Sequence, residues 1–117
     1  MLYSKLTKKL KRETVLHLNL NVRPKTARRL KKVLEYSRDG ESFAQNVIAY
    51  QVTELKRAIL NLRVDLRSFE KRYRLKSADF YKKFDAGKLD DREDYMLWAG
   101  LWEMLEKNEK KLQELEG

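Results

Sequence analysis

The sequence predicts a mainly α-helical, dimeric protein: one short strand and two helices near the start, continued by a long helix and a C-terminal helical hairpin. Three observations predict it. Ile48, Val52, Leu55, Ile59, Leu62, Leu66, Phe69 and Tyr73 recur at alternating gaps of four and three residues, the seam of a helix that supercoils against a partner. Val15–Val22 reads V-L-H-L-N-L-N-V, the only clear period-two stretch in the chain. The chain has only four Gly and one Pro, and none between Glu41 and Gly87, so little breaks a helix there.

Charge divides the 117 residues unevenly. Residues 1–40 hold twelve Lys/Arg against three Asp/Glu, residues 41–76 eight against four, and residues 77–117 seven against eleven. A basic front and an acidic back point to two different partners, the first a polyanion; a merely charged, thermophile-like surface is the plainer alternative. Cys is absent and His occurs once, which removes disulfides and thiolate metal sites and leaves little for zinc or proton-shuttle chemistry. No apolar run approaches the ~18–20 residues of a membrane span, and Met1–Glu13 lacks the apolar core of a signal peptide. The expectation is a soluble, cytoplasmic protein with no membrane partner.

In chain order, residues 1–13 place Leu2, Leu6 and Leu10 among five bases. This suits a short amphipathic helix or a basic arm that orders on a polyanion. In the period-two stretch, Leu16, Leu18, Leu20 and Val22 share one face and His17, Asn19 and Asn21 the other. A strand needs a mate, and no second strand pattern exists downstream. Pairing with the same strand of a second copy, about a two-fold axis, supplies one. Helices must then cover the Leu/Val face, because an isolated ribbon is unstable.

Pro24 opens the next helix, where its missing N–H costs nothing. Leu30, Val33 and Leu34 are its apolar stripe, and Lys25, Arg28, Arg29, Lys31 and Lys32 its outer face. Asp39-Gly40 is read as its end, with Gly40 in a left-handed cap. Ser42, followed by Gln45 three residues later, is read as a capping box that starts the long helix. That helix is expected from Ser42 to about Arg74, roughly 50 Å at ~1.5 Å per residue. Ile48, Val52 and Leu55 at its start join Leu16, Leu18, Leu20 and Val22 as the expected dimer contacts.

The order of strand, Pro-started helix, Gly turn and Ser-capped helix resembles the ribbon–helix–helix (Arc/MetJ-like) family of DNA-binding proteins and antitoxins. The matching residues run from Leu16 through Pro24, Leu30, Gly40, Ser42, Ile48 and Val52, about forty positions. The resemblance implies a dimer whose ribbon enters the major groove of double-stranded DNA, with His17, Asn19 and Asn21 as base readers. It also implies a phosphate clamp at the start of the second helix, near the amides of Ser42 and Phe43. The chemistry suits those roles: Asn bonds adenine N6 and N7 together, His reaches guanine N7, and helix-start amides attract phosphate. Arg23, Lys25 and Arg28 would add counterion-releasing phosphate contacts. The alternative is that His17, Asn19 and Asn21 are only the wet side of a structural ribbon. One departure is plain: the family's second helices are usually short, and this one runs on.

Beyond the long helix, Ser77 is read as the N-cap of a short helix carrying Phe80, Tyr81 and Phe84, closed by Gly87. Asp90, with Glu93, is read as capping a last helix through about Leu115, whose first turn is acidic as the macrodipole prefers. Trp98, Leu101, Leu105, Leu112 and Leu115 form its seam, interrupted by Asn108, with Tyr95, Trp102 and Met104 widening the stripe. These helices suit an antiparallel hairpin folded back on the long helix. The aromatics are then either the core of that hairpin or anchors for a partner, since Trp and Tyr are enriched at binding hot spots.

The phrases Asp65-Leu66-x-x-Phe69-Glu70-x-x-Tyr73, Ser77-x-x-Phe80-Tyr81-x-x-Phe84-x-x-Gly87-x-Leu89-x-Asp91 and Asp94-Tyr95-x-x-Trp98-Ala99 are similar to the C-terminal halves of small prokaryotic and archaeal antitoxins. The TumA type, which neutralises TumE-like RNase toxins, is one such antitoxin that they resemble. The resemblance implies a toxin-binding region whose contacts are Phe69, Tyr73, Phe80, Phe84, Tyr95, Trp98, Leu101, Trp102 and Leu105. An acidic half suits a basic, RNA-cleaving toxin.

No Gly-rich phosphate loop, nucleophile–base set or metal-ligand cluster can be assembled, so neither an enzyme nor a cofactor is expected. Asp90, Asp91 and Asp94 are better explained by capping. The expected organisation is a basic arm (1–13), a dimerisation and DNA-binding module (14–60) and a helical partner-binding region (61–117). Together these predict an antitoxin of a type II toxin–antitoxin module that binds operator DNA as a homodimer, or a higher even oligomer, and neutralises a cognate RNase toxin. A stand-alone ribbon–helix–helix transcriptional regulator and a non-DNA-binding helical scaffold are the alternatives.

Overall fold

The structure is a computed structural model that describes residues 14–117; the basic arm expected over residues 1–13 lies outside them. Four helices make up the described chain: α1 (Pro24–Tyr36), α2 (Gly40–Tyr73), α3 (Ser77–Asp85) and α4 (Glu93–Glu116). The chain divides into two compact units between Tyr36 and Ser37.

In the first unit, residues 14–23 form neither helix nor strand, and α1 begins at Pro24 as its fixed φ favours. The Ala27 amide donates to the Arg23 carbonyl at 3.0 Å and closes the first turn. None of the residues of α1 is buried. The strand expected over Val15–Val22 is not seen. A strand exists only through ladder hydrogen bonds to a neighbour, and the rest of the described chain is helix and short loops with no edge to offer. Leu16, which an assembled ribbon would cover, is 78% exposed.

The second unit is built on α2, 34 residues and about 50 Å long at ~1.5 Å per residue. Its start corrects the sequence reading. Asp39, not Ser42, is the N-cap: its Oδ1 accepts from the Ser42 amide at 2.7 Å, and Gly40 is already the first helical residue. Gln45 does not complete a capping box; its Nε2 donates to Glu41 Oε1 at 2.9 Å. Asp and Ser are equally strong caps, so the earlier of the two wins when the intervening residues can be helical. The expected left-handed glycine is consequently not at Gly40. Among the described residues the positive φ values fall at Arg74, 52°, and Gly87, 71°. Arg74 ends α2, its amide donating to the Glu70 carbonyl. The 60/61 boundary expected between functional halves falls inside α2, which runs through it unbroken.

The α4 helix returns antiparallel along the second half of α2. Three ion pairs record the register: Arg72–Asp94 at 2.8 Å, Arg63–Glu109 at 2.6 Å and Lys56–Glu116 at 3.1 Å. Between them lies the core of Ile59, Leu62, Leu66, Phe80, Trp98, Ala99 and Leu105. The seam of α2 therefore has two parts. From Ile59 to Tyr73 it is covered by this chain's own α3 and α4; Leu55, Val52 and Ile48 continue it past the level of Glu116, and Ile48 is exposed.

The elbow between α2 and α3 rests on a side chain that the sequence reading passed over. Ser77 is not the N-cap of α3 but its first residue, and its amide donates to Glu70 Oε2 at 2.8 Å. Glu70, reaching across from α2, thus takes over an orphan donor at the helix start. The Ser77 hydroxyl is left for the interior. Likewise Arg92, not Asp90, is the residue that precedes α4; Asp90 accepts from its amide at 3.1 Å and from its guanidinium at 2.9 and 2.8 Å.

Candidate functional site

Two surfaces carry the residues that the sequence singles out. The first is the N-terminal unit. His17, Asn19 and Asn21 are exposed and alternate with exposed Leu16, Leu18, Leu20 and Val22. Arg23, Lys25 and Arg28 are exposed beside them in sequence. On α1, Val33 and Leu34 are about half exposed, and only Ala27 and Leu30 are partly covered. An apolar stripe and a period-two apolar row that are largely exposed among the described residues, together more than scattered surface leucines, mark a surface suited to burial.

The expected phosphate clamp fares differently. The Ser42 amide is taken by the Asp39 carboxylate, and the Phe43 amide donates to the Asp39 carbonyl at 3.1 Å. Both amides are engaged within the chain, and a carboxylate occupies the place a phosphate would take at the helix start. A phosphate at Ser42 and Phe43 would therefore have to displace the Asp39 carboxylate. Ser42 and Phe43 also belong to the second compact unit, whereas residues 14–28 belong to the first.

The second surface is the hairpin. Here the geometry separates residues that composition treats alike. Trp98 and Phe80 are 0% exposed and stack face to face, with centroids 3.8 Å apart and planes at 4°. Phe69 and Tyr73 stack on the same indole at 5.7 Å each, and Tyr95 tilts against both Tyr73 and Phe80. The indole Nε1 donates to Ser77 Oγ at 2.9 Å, which satisfies the one polar atom of a ring otherwise held by carbon. Leu105 is buried as well. Phe80, Trp98 and Leu105 are therefore core, the alternative that periodicity alone left open; the two rings are fully enclosed, and Leu105 reaches the surface only at the floor of a cleft. Phe69, Tyr73, Phe84, Tyr95, Leu101 and Trp102 pack against that core and keep part of their surface. A cleft of about 210 Å³ opens between α2, α3 and α4, floored by Leu66, Trp102 and Leu105; Arg63 at its rim is already paired to Glu109.

At the open end of the hairpin Asp94 accepts from the Tyr73 hydroxyl and from Arg72 Nη1 at 2.8 Å. The Tyr73 hydrogen bond, then the Arg72 hydrogen bond, hold the Asp94 carboxyl below its ordinary 3.8. Asp90 is held down to about 2 by its hydrogen bonds with Arg92. On the far side, Tyr81 donates to Glu103 at 2.7 Å, which pushes its hydroxyl up to about 12. A depressed carboxyl stabilises the fold above its unfolded value and loses that contribution as pH falls through the folded one. A raised tyrosine stabilises below its unfolded value and loses that contribution as pH rises through the folded one. The melting temperature of the hairpin is thus expected to be level around neutral pH, to decline modestly in acid as Asp90 and Asp94 are protonated, and to decline modestly in base as Tyr81 ionises. Asp94→Asn should remove its share of the acid limb and leave that of Asp90; thermal melts by circular dichroism across pH read both limbs.

Among the described residues no helix is long and apolar enough to cross a membrane, and no cluster of His, Asp and Glu could hold a metal ion. No family model, no curated protein and no solved structure is found to match this chain.

Proposed function

We propose that this protein is a dimeric operator-DNA binder of ribbon–helix–helix type, acting as the antitoxin of a type II module. Residues 15–22 of two copies pair as an antiparallel ribbon whose Leu/Val face is covered by helices, with Ile48, Val52 and Leu55 as further contacts between the copies. The ribbon presents His17, Asn19 and Asn21 to the major groove, with Arg23, Lys25 and Arg28 on the phosphates. The observation that carries this reading is that none of the described residues of the N-terminal unit, 14–36, is buried in a single chain. An amphipathic helix and a period-two segment with their apolar sides uncovered call for a matching surface, and an identical copy supplies one. The toxin would meet the acidic C-terminal part of the second unit, residues 77–117, through the partly exposed rim of Phe84, Tyr95, Leu101 and Trp102, not through the buried rings.

The closed core of that unit favours a second reading, a stand-alone regulator of the same fold. The two separate on whether a protein partner, an RNase, co-purifies with the chain from its native host. The DNA half has its own test. Asn19→Ala with Asn21→Ala should lower the preference for a palindromic duplex over random DNA about tenfold or more, each bidentate contact being worth ~1–3 kcal/mol. Affinity for random DNA should change little, and its steep salt dependence should persist. Unchanged selectivity would remove the ribbon-reading proposal and leave His17 and the two Asn on a passive wet side.

A further inference from the structure

The outer face of α4, directly opposite its core side, has a pattern that neither the hairpin nor the DNA reading uses. Glu93, Met96, Gly100, Met104 and Lys107 follow one another at gaps of three, four, four and three residues. At 3.6 residues per turn these fall on one face, and their order is symmetric about Gly100. Met96 and Met104 are each 54% exposed, as is the flanking Leu97, and Glu93 and Lys107 are exposed. Neither Glu93 nor Lys107 belongs to an ion pair of the described chain.

The glycine is the second, independent observation. Inside a helix it is among the poorest residues, and here a Cβ would meet no atom within 4 Å. Nothing in its own chain therefore calls for the missing side chain. What does call for it is the close approach of another backbone from outside, for which a notch between two methionines is suited.

We propose that this face pairs antiparallel with the same face of a second copy, about a two-fold axis at Gly100. In that arrangement Gly100 faces Gly100, Met96 lies against Met104 of the other copy, and Glu93 meets Lys107 of the other copy at both ends. The match is self-complementary, as an isologous contact requires. Parallel pairing would instead set Glu93 on Glu93 and Lys107 on Lys107, which like-charge repulsion opposes. The contact is separate from the N-terminal ribbon. A chain with both has two different two-fold contacts and builds past the dimer to an even assembly such as a tetramer.

The test is the mass of the full-length chain by sedimentation equilibrium over a concentration series, with helicity followed by circular dichroism. Glu93→Lys alone and Lys107→Glu alone each place like charges together at both ends of the contact. Each should weaken the association roughly tenfold. The double variant Glu93→Lys/Lys107→Glu restores opposite charges and should return to within about twofold of the parent. Gly100→Leu fills the notch and should abolish the contact with helicity retained. A double variant no stronger than the singles, or three charge variants indistinguishable from the parent, overturns the proposal. Leu18→Glu/Leu20→Glu, which removes the ribbon contact, separates the two readings. In that background a remaining dimer that still responds to the charge reversals supports the α4 contact. A folded monomer there overturns it and leaves the ribbon standing.

Discussion

Replacing Trp98 by Ala is expected to cost the second unit about 3–5 kcal/mol, the range for removing a fully buried large aromatic. The reason is specific to this ring. It is completely enclosed, stacks on Phe80, receives Phe69 and Tyr73 on its borders, and ties α4 to α3 through the Ser77 hydroxyl. The truncation leaves a cavity where three helices meet and a buried hydroxyl without its donor. Since small domains are stable by only about 5–15 kcal/mol, the midpoint of urea unfolding should fall by a large fraction. Met104→Ala, on the outer face, should stay within about 0.5 kcal/mol of the parent when measured at a concentration where chains are separate. Equal losses for both would mean that the indole is not the keystone of the hairpin.

The second large effect lies at the other end. Leu18→Glu with Leu20→Glu is expected to halve the mass of the assembly and to remove sequence-selective DNA binding, while the hairpin melts unchanged. Both leucines are exposed in the single chain, so their exchange costs an isolated copy nothing. In a paired ribbon each Glu would sit buried under α1, where an unpaired carboxylate costs several kcal/mol. That contrast is the useful part: a residue whose substitution is silent in one copy and severe in two reports an interface. Selective binding by a monomeric variant would remove the ribbon from the DNA reading.

The long α2 helix and its return partner were legible because a 3.5-residue period sustained from Ile48 to Tyr73 leaves few other structures to form. Helix ends were less so. At Asp39 and Ser42 two capping residues compete within three residues and the earlier one wins, whereas at Ser77 the outcome is decided by contacts elsewhere along the chain. Ser77 illustrates this, since Glu70 supplies the acceptor for its amide and Trp98 claims its hydroxyl. The aromatics were the least legible part. Trp98 and Trp102 lie four residues apart on one side of α4, yet one is sealed and the other partly open, because α3 swings over the first. No spacing in the sequence encodes where the Gly87 turn sends that helix. The period-two segment posed the opposite problem. Its alternation is clear, but no described segment of the chain pairs with it, and the mate we propose is a second copy.

That last point can be measured directly, because the chain has no cysteine and a single nitroxide at Asn19→Cys labels one place only. Residue 19 lies near the middle of the eight-residue segment. In an antiparallel ribbon, with strands ~4.8 Å apart and ~3.4 Å per residue, two such labels fall within about 25 Å of each other in any register near the centre. Pulsed dipolar spectroscopy on the full-length chain is predicted to show that short distance, and Leu18→Glu/Leu20→Glu to erase it. A label at position 19 with no dipolar partner, in a chain whose α1 helix is formed, would contradict the pairing on which the DNA-reading account rests.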